Sequence, residues 1–116
     1  MPSGDGDRAL HRAARVAGSV EMVERLLQCG AKIDALNQAK MTALGIAASS
    51  ERWEIVRTLL EHGANANVAS NRTPLHWAAT TGNLEMVTLL LEKHAKVDAV
   101  DKEGQTPLQR AMRARH

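Results

Sequence analysis

The sequence predicts an all-α solenoid of about three and a half stacked helix-turn-helix repeats, and three observations lead to it. Four related pentapeptides, Leu10-His11-Arg12-Ala13-Ala14, Leu44-Gly45-Ile46-Ala47-Ala48, Leu75-His76-Trp77-Ala78-Ala79 and Leu108-Gln109-Arg110-Ala111-Met112, begin on leucines 34, 31 and 33 residues apart. A second motif, Val-x-x-Leu-Leu, recurs at 23–27, 56–60 and 87–91, and is followed by Cys29-Gly30-Ala31, His62-Gly63-Ala64 and Lys93-His94-Ala95. Self-similarity at this period marks a repeat stack, in which no unit buries its apolar face alone. Trp53 and Trp77 are the only aromatics in 116 residues. The core must therefore be built from Leu, Val, Ile, Met and Ala, which suit closely packed helices.

Taken in order, residues 1–6 carry Pro2, Ser3, Gly4 and Gly6 and are expected to be a disordered N-terminal segment. Residues 7–35 form the first repeat, with Leu10 and Val23 opening its two apolar stripes and Gly30 ending its second helix. In residues 36–68 the second repeat starts at Thr42-Ala43-Leu44, and Gly63 supplies the left-handed residue that closes a helix. The third repeat, 69–99, has the clearest start: Thr73 offers a capping oxygen and Pro74 stands at the first helical position, where its missing N–H costs nothing. Gly82 closes that helix, and Leu84, Val87, Leu90 and Leu91 follow at helical spacing. Thr106-Pro107 opens a half repeat over 100–116 with no second helix. The Leu-Leu pairs at 26–27, 59–60 and 90–91 are expected to dominate the interfaces between units.

The run Thr73-Pro74-Leu75-His76-Trp77-Ala78-Ala79, continued by Gly82-Asn83-Leu84-Glu85-Met86-Val87, closely resembles the ankyrin repeat, and the resemblance extends over 7–116. It implies an L-shaped stack whose β-hairpin-like loops project at right angles to antiparallel helix pairs. Departures fall in three places. The first unit lacks Thr-Pro and resembles an amino-terminal cap, whose exposed side accommodates Arg8, Arg12 and Arg15. The second unit has Gly45 at the His position, which costs about 1 kcal/mol relative to Ala and should loosen its first helix. It also has Glu51 in place of Gly82 and, at the turn position held elsewhere by Asn71 and Gly104, Lys40, which takes positive φ only with strain. The loop from Ala64 to Leu75 is two residues shorter than its counterparts, so that hairpin is expected to be clipped. At the far end, Arg110, Arg113 and Arg115 are expected to make the last helix polar enough to act as a cap.

Catalytic chemistry finds no constellation. The resemblance gives His11 and His76 a structural role, bonding loop backbone and tying units together. His62 and His94 sit at the ends of second helices, where partial positive charge suits the dipole, and none of the histidines has the close Cys or His companions of a zinc site. Cys29 has no activating His or Lys beside it. No catalytic, metal or cofactor site is therefore expected. A formal net charge of +2 argues for neither nucleic acid nor membrane binding. One cysteine, no cationic-apolar leader and no apolar run of about 18 residues point to a reducing intracellular compartment.

The expected function is non-catalytic binding of another protein on the concave face formed by loop tips and first helices, rigid enough that little entropy is lost on docking. Carried over by position, the resemblance implies a partner-binding set. It comprises Arg15 and Val16 in the first unit; Gln38, Ala39, Met41, Ser49 and Ser50 in the second; Ser70, Arg72, Thr80 and Thr81 in the third; and Lys102, Glu103, Gln105, Arg113 and Ala114 in the fourth. Trp77 reads either as inter-repeat core or as a half-open anchor on that face. The resemblance also offers Asn67 as a position for asparaginyl hydroxylation. A reading of a different class makes the chain a structural stacking module, or a monomer able to self-associate through its carboxy-terminal half repeat.

Overall fold

The structure, a computed structural model, describes residues 3–15, 20–68 and 72–114, with side chains described over 9–15, 20–68 and 72–113. Among the described residues there are seven helices and no strand: α1 (Ser3–Arg15), α2 (Val20–Gln28), α3 (Ala43–Ser49), α4 (Trp53–Glu61), α5 (Pro74–Thr81), α6 (Leu84–Glu92) and α7 (Pro107–Ala114). Helices pair as α1/α2, α3/α4 and α5/α6, the first helices stack in the row α1, α3, α5, α7, and the second helices stack as α2, α4, α6. The result is an elongated body of 45 × 25 × 23 Å, the all-α repeat stack that the leucine register predicts.

The sequence's capping signals act as local chemistry requires. Thr73 Oγ1 accepts from the His76 N–H while His76 Nδ1 accepts from the Thr73 N–H (3.0 Å), so two otherwise orphaned helix-start donors are satisfied reciprocally. Thr106 and Gln109 repeat the device at the start of α7, at 2.8 and 3.2 Å. In α3, Thr42 Oγ1 accepts from Gly45 N–H (3.2 Å), and Gly45 has no side chain to return the bond. Gly82 ends α5 in the left-handed region (φ 73°), as its position predicts.

Among the described residues, three other than glycine adopt that same region: Lys40 (φ 63°), Glu51 (φ 57°) and His94 (φ 70°). Each stands where a sister unit carries Gly104, Gly82 or Gly63, so the array keeps the backbone geometry and accepts the strain.

The core runs through the middle of the stack, from Leu10, Ala14 and Val23 through Ala43–Ala48, Ile55, Val56, Leu59 and Leu60 to Leu75, Ala78, Met86 and Leu90. Two expectations need correction. Of the three Leu-Leu pairs only Leu59-Leu60 is wholly buried; Leu26 and Leu27 are partly covered, and Leu91 is exposed. Helix α3, expected to be loose because of Gly45, is buried from Ala43 to Ala48. Packing between neighbours on both sides overrides the glycine's weak propensity there.

At the amino end α1 begins at Ser3, so residues 3–6 are helical where disorder is expected. Extending an existing helix costs far less than nucleating one, which lets the turn propagate through two glycines. Trp53 and Trp77 are both half-buried and packed against the core.

Candidate partner-binding face

Two loop tips, those before α3 and α7, are each built by a short polar side chain that gathers backbone donors. Asn37 Oδ1 accepts from the N–H groups of Ala39 (2.9 Å) and Met41 (3.0 Å), which forces the chain to turn through Lys40. Asp101 Oδ1 does the same for Glu103 (2.9 Å) and Gln105 (3.0 Å). Asn37 and Asp101 each stand seven residues before their unit's leucine, Leu44 and Leu108. That spacing was the available signal for them, and motif reading centred on the helices passes over it.

Histidines then fasten tips to first helices. His76 is wholly buried, and with Nδ1 accepting from Thr73 its Nε2–H is left to donate to the Gln105 carbonyl at 2.7 Å, across 29 residues. His11 Nε2 reaches the Ala35 carbonyl at 2.7 Å. Both imidazoles hold loop backbone, the role the resemblance implies. Gly45 cannot supply the corresponding tie in the second unit.

A second ladder runs through the other ends of the loops. Asp34 Oδ1 accepts from Asn65 N–H (2.9 Å), and Asn67 accepts from Lys96 N–H (2.9 Å) while its amide donates to the His94 carbonyl (3.0 Å). Asn67 is thus a clamp between consecutive units.

Electrostatics concentrate at the third-to-fourth junction. The Asp101 side chain is fully buried, with Arg110 Nε donating to Oδ2 at 2.7 Å and Arg72 Nε 3.9 Å away. Burial pushes the Asp101 carboxyl up. Hydrogen bonds from Gln105 N–H, Arg110 and Glu103 N–H, with the Arg110 charge, outweigh it and bring the pKa down from 3.8 to about 2. Bonds to Glu103 and Asp101 hold the Arg110 pKa above its ordinary value. Arg110, expected among the residues that make α7 a polar cap, instead spends its guanidinium inside this network, with only 12% of its side chain exposed.

The predicted site residues divide accordingly. Gln38, Ala39, Ser50, Lys102, Glu103 and Arg113 are exposed. Arg15, exposed at the end of α1, receives Arg52 Nε on its carbonyl at 3.0 Å. Met41 is half-buried against the core, and Ser49 donates to the Ile46 carbonyl at 2.9 Å. Thr80 is half-buried, as is Thr81, whose hydroxyl turns back to the Trp77 carbonyl at 3.0 Å. Arg72 lies over Trp77, 5.1 Å from the ring centroid, and Gln105 contributes its backbone to the His76 tie. Val16 and Ser70 lie outside the described residues, as does the Ala114 side chain. Trp77, Arg72, Asp101 and Arg110 form one contiguous corner; Gln38, Ala39 and Met41 belong to a separate tip folded on Asn37, with Ser49 and Ser50 at the far end of α3.

Among the described residues no group of three or more His, Cys, Asp or Glu side chains is placed to hold a metal ion, and no helix is long and apolar enough to cross a membrane. A family model for ankyrin repeats, three copies long, matches residues 2–70 and again 67–116. Human cyclin-dependent kinase 4 inhibitor B is 32% identical over 119 residues, spanning 100% of this chain and 86% of that protein. A probable 26S proteasome regulatory subunit, p28 of Saccharomyces cerevisiae, is 34% identical over 121 residues, 99% of this chain and 52% of its own length. The palmitoyltransferase Hip14 of Drosophila melanogaster is 34% identical over 90 residues, 75% of this chain, and the chain spans only 14% of that relative. The leucine register, the Thr-Pro caps, the histidine ties and these matches agree: the chain belongs to the ankyrin-repeat family.

Proposed function

We propose that the chain is a non-catalytic scaffold that binds another protein, inside the cell, across the face formed by its loop tips and the exposed ends of its first helices. Ankyrin repeats are generally protein interaction modules. The observation that carries the reading here is the anchoring of that face: tips folded on Asn37 and Asp101 and tied by His11 and His76 present Gln38, Ala39, Lys102 and Glu103 on fixed backbone. A surface already ordered loses little conformational entropy on docking. One similar protein is named for inhibiting a cyclin-dependent kinase and another as a regulatory subunit of the proteasome, functions that rest on contact with other proteins.

The test compares the parent chain with a Gln38→Glu, Ser50→Glu, Lys102→Glu variant in pull-downs from cell lysate, with circular dichroism to establish equal folding. All three side chains are exposed, so the core is spared. A partner retained by the parent and lost by the variant is the expected result. Equal retention by both would move the binding site off this face.

A further inference from the structure

We infer that the partner docks through an extended acidic segment laid along the row of first helices and loop tips, with one of its carboxylates on Arg72. The inference rests on the scaffold reading above and gives its partner a chemistry. Charge is divided between the two rows of the stack. The second helices α2, α4 and α6 carry six carboxylates, Glu21, Glu24, Glu54, Glu61, Glu85 and Glu92, against two arginines, Arg25 and Arg57. In the other row, the described side chains of the first helices and of loop positions 36–42, 72–73 and 100–106 include seven basic residues and two acidic ones. Those two, Asp101 and Glu103, are both bonded by Arg110. Glu51 and Arg52, in the turn between α3 and α4, offset each other. A net charge of only +2 conceals this division, because the two rows nearly cancel.

Arg72 is where the basic row has capacity to spare. Arg110 takes up Asp101, and Arg72 Nε, 3.9 Å from Asp101 Oδ2, is buried without a hydrogen-bond partner. Trp77 supports the guanidinium from below, 5.1 Å from its ring centroid, while 25% of the Arg72 side chain stays open to an incoming carboxylate. A guanidinium already packed on an aromatic face loses little rotamer freedom when it pairs. Exposed Arg12 and Arg15 in the first unit, Lys40 in the second and Arg113 in the fourth carry the row to both ends, so every unit contributes a cation. Stacked helices lie about 8–10 Å apart, which matches every third residue of an extended chain at about 3.3 Å per residue. Between the ends, α3 and α5 carry no charge and finish in Ser49 and Thr80-Thr81, small side chains that let a backbone approach. Nucleic acid fits worse: its phosphates follow at about 3.4 Å per strand, far denser than one cation per unit. Trp77, the only aromatic among the first helices, is half-buried under Arg72 and not open to a stacking base.

Fluorescence anisotropy with a labelled peptide of about twelve residues, glutamate at every third position among serine and alanine, measures the contact. The peptide is expected to bind the full chain at low ionic strength and to weaken at least about tenfold as salt rises from about 0.05 to 0.3 M. Two charge-matched variants, checked for equal folding by circular dichroism, locate it. Arg15→Glu, Lys40→Glu, Arg113→Glu, changed only at exposed positions, is expected to lose at least about tenfold in affinity. Arg25→Glu, Arg57→Glu, Lys93→Glu, on the other row, is expected to lose under about threefold, and Arg72→Gln alone about fivefold. No binding at low salt, equal losses in the two triple variants, an unaffected Arg72→Gln, or tighter binding of a DNA strand of the same length each overturn the inference. A lysate partner lost on substitution of the face, beside a chain indifferent to the acidic peptide, overturns this inference and leaves the scaffold reading standing. Failure of that reading shows separately, as a partner retained equally in the lysate experiment.

Discussion

At the scale of single residues, His94 shows how the array holds a backbone geometry against its own sequence. It follows α6 at φ 70°, where the earlier units carry Gly30 and Gly63, and its contribution to the Asn67 clamp is a backbone carbonyl that any residue supplies. His94→Gly removes the left-handed penalty and is expected to stabilise the fold by about 0.5–1 kcal/mol, read as a higher midpoint in urea denaturation. A lower midpoint would mean that the imidazole contributes more than its backbone. Asp101 is the opposite case, a residue whose surroundings favour its charged form. Its folded pKa of about 2 lies below the ordinary 3.8, so between pH 4 and 2 the unfolded chain binds a proton that the folded chain refuses. The stability this supplies is fully present above pH 4 and is lost as pH falls through 2. Parent stability should therefore fall more steeply than that of Asp101→Asn across this window; parallel slopes in urea midpoints measured at each pH would refute the assignment.

Elements differ in worth according to their neighbours, even where their sequences match. Leu60 and Leu91 occupy the same place in the Val-x-x-Leu-Leu motif, yet Leu60, on a helix flanked by α2 and α6, is buried and Leu91 is exposed. Leu60→Ala is expected to cost about 2–5 kcal/mol through lost burial and the cavity left behind, out of a total of about 5–15. Leu91→Ala should cost under about 1 kcal/mol, in line with exposed positions. Thermal melting of the two variants at low protein concentration separates them, and equal losses would show that the α6 end is covered in solution. Motif reading identified every helix because the Thr-Pro starts, the glycine ends and the 3.6-residue stripes are local signals. It overrated the outer Leu-Leu pairs because burial depends on whether a neighbour follows, which no single unit encodes. Gly45 was misjudged for the same reason: its propensity is local and its packing is not.

For the whole molecule, the one-dimensional character of the stack was legible in the spacing of Leu10, Leu44, Leu75 and Leu108, whereas the proposed partner face rests on family position. What the sequence left out was the charge network at the far end, since Asp101, Arg72 and Arg110 are brought together only when the last loop folds back on α5 and α7. That network bears on how the stack opens. In a linear array, stability is close to a sum of unit and interface energies, so a helix with a neighbour on one side only should open first. Helices α3 and α4 are flanked on both sides, whereas α7 packs chiefly on α5 and leaves Leu108 and Met112 in solvent. Native-state hydrogen exchange, run at a concentration where the chain is monomeric, should find the slowest amides in α3 and α4. Those of α7 should exchange at least about tenfold faster, a gap of about 1.4 kcal/mol. If the α7 amides are protected as strongly as those of α4, then the Arg110–Asp101 pair and the His76 tie to Gln105 lock the half repeat into one cooperative unit with the rest, and the additive picture fails for this chain.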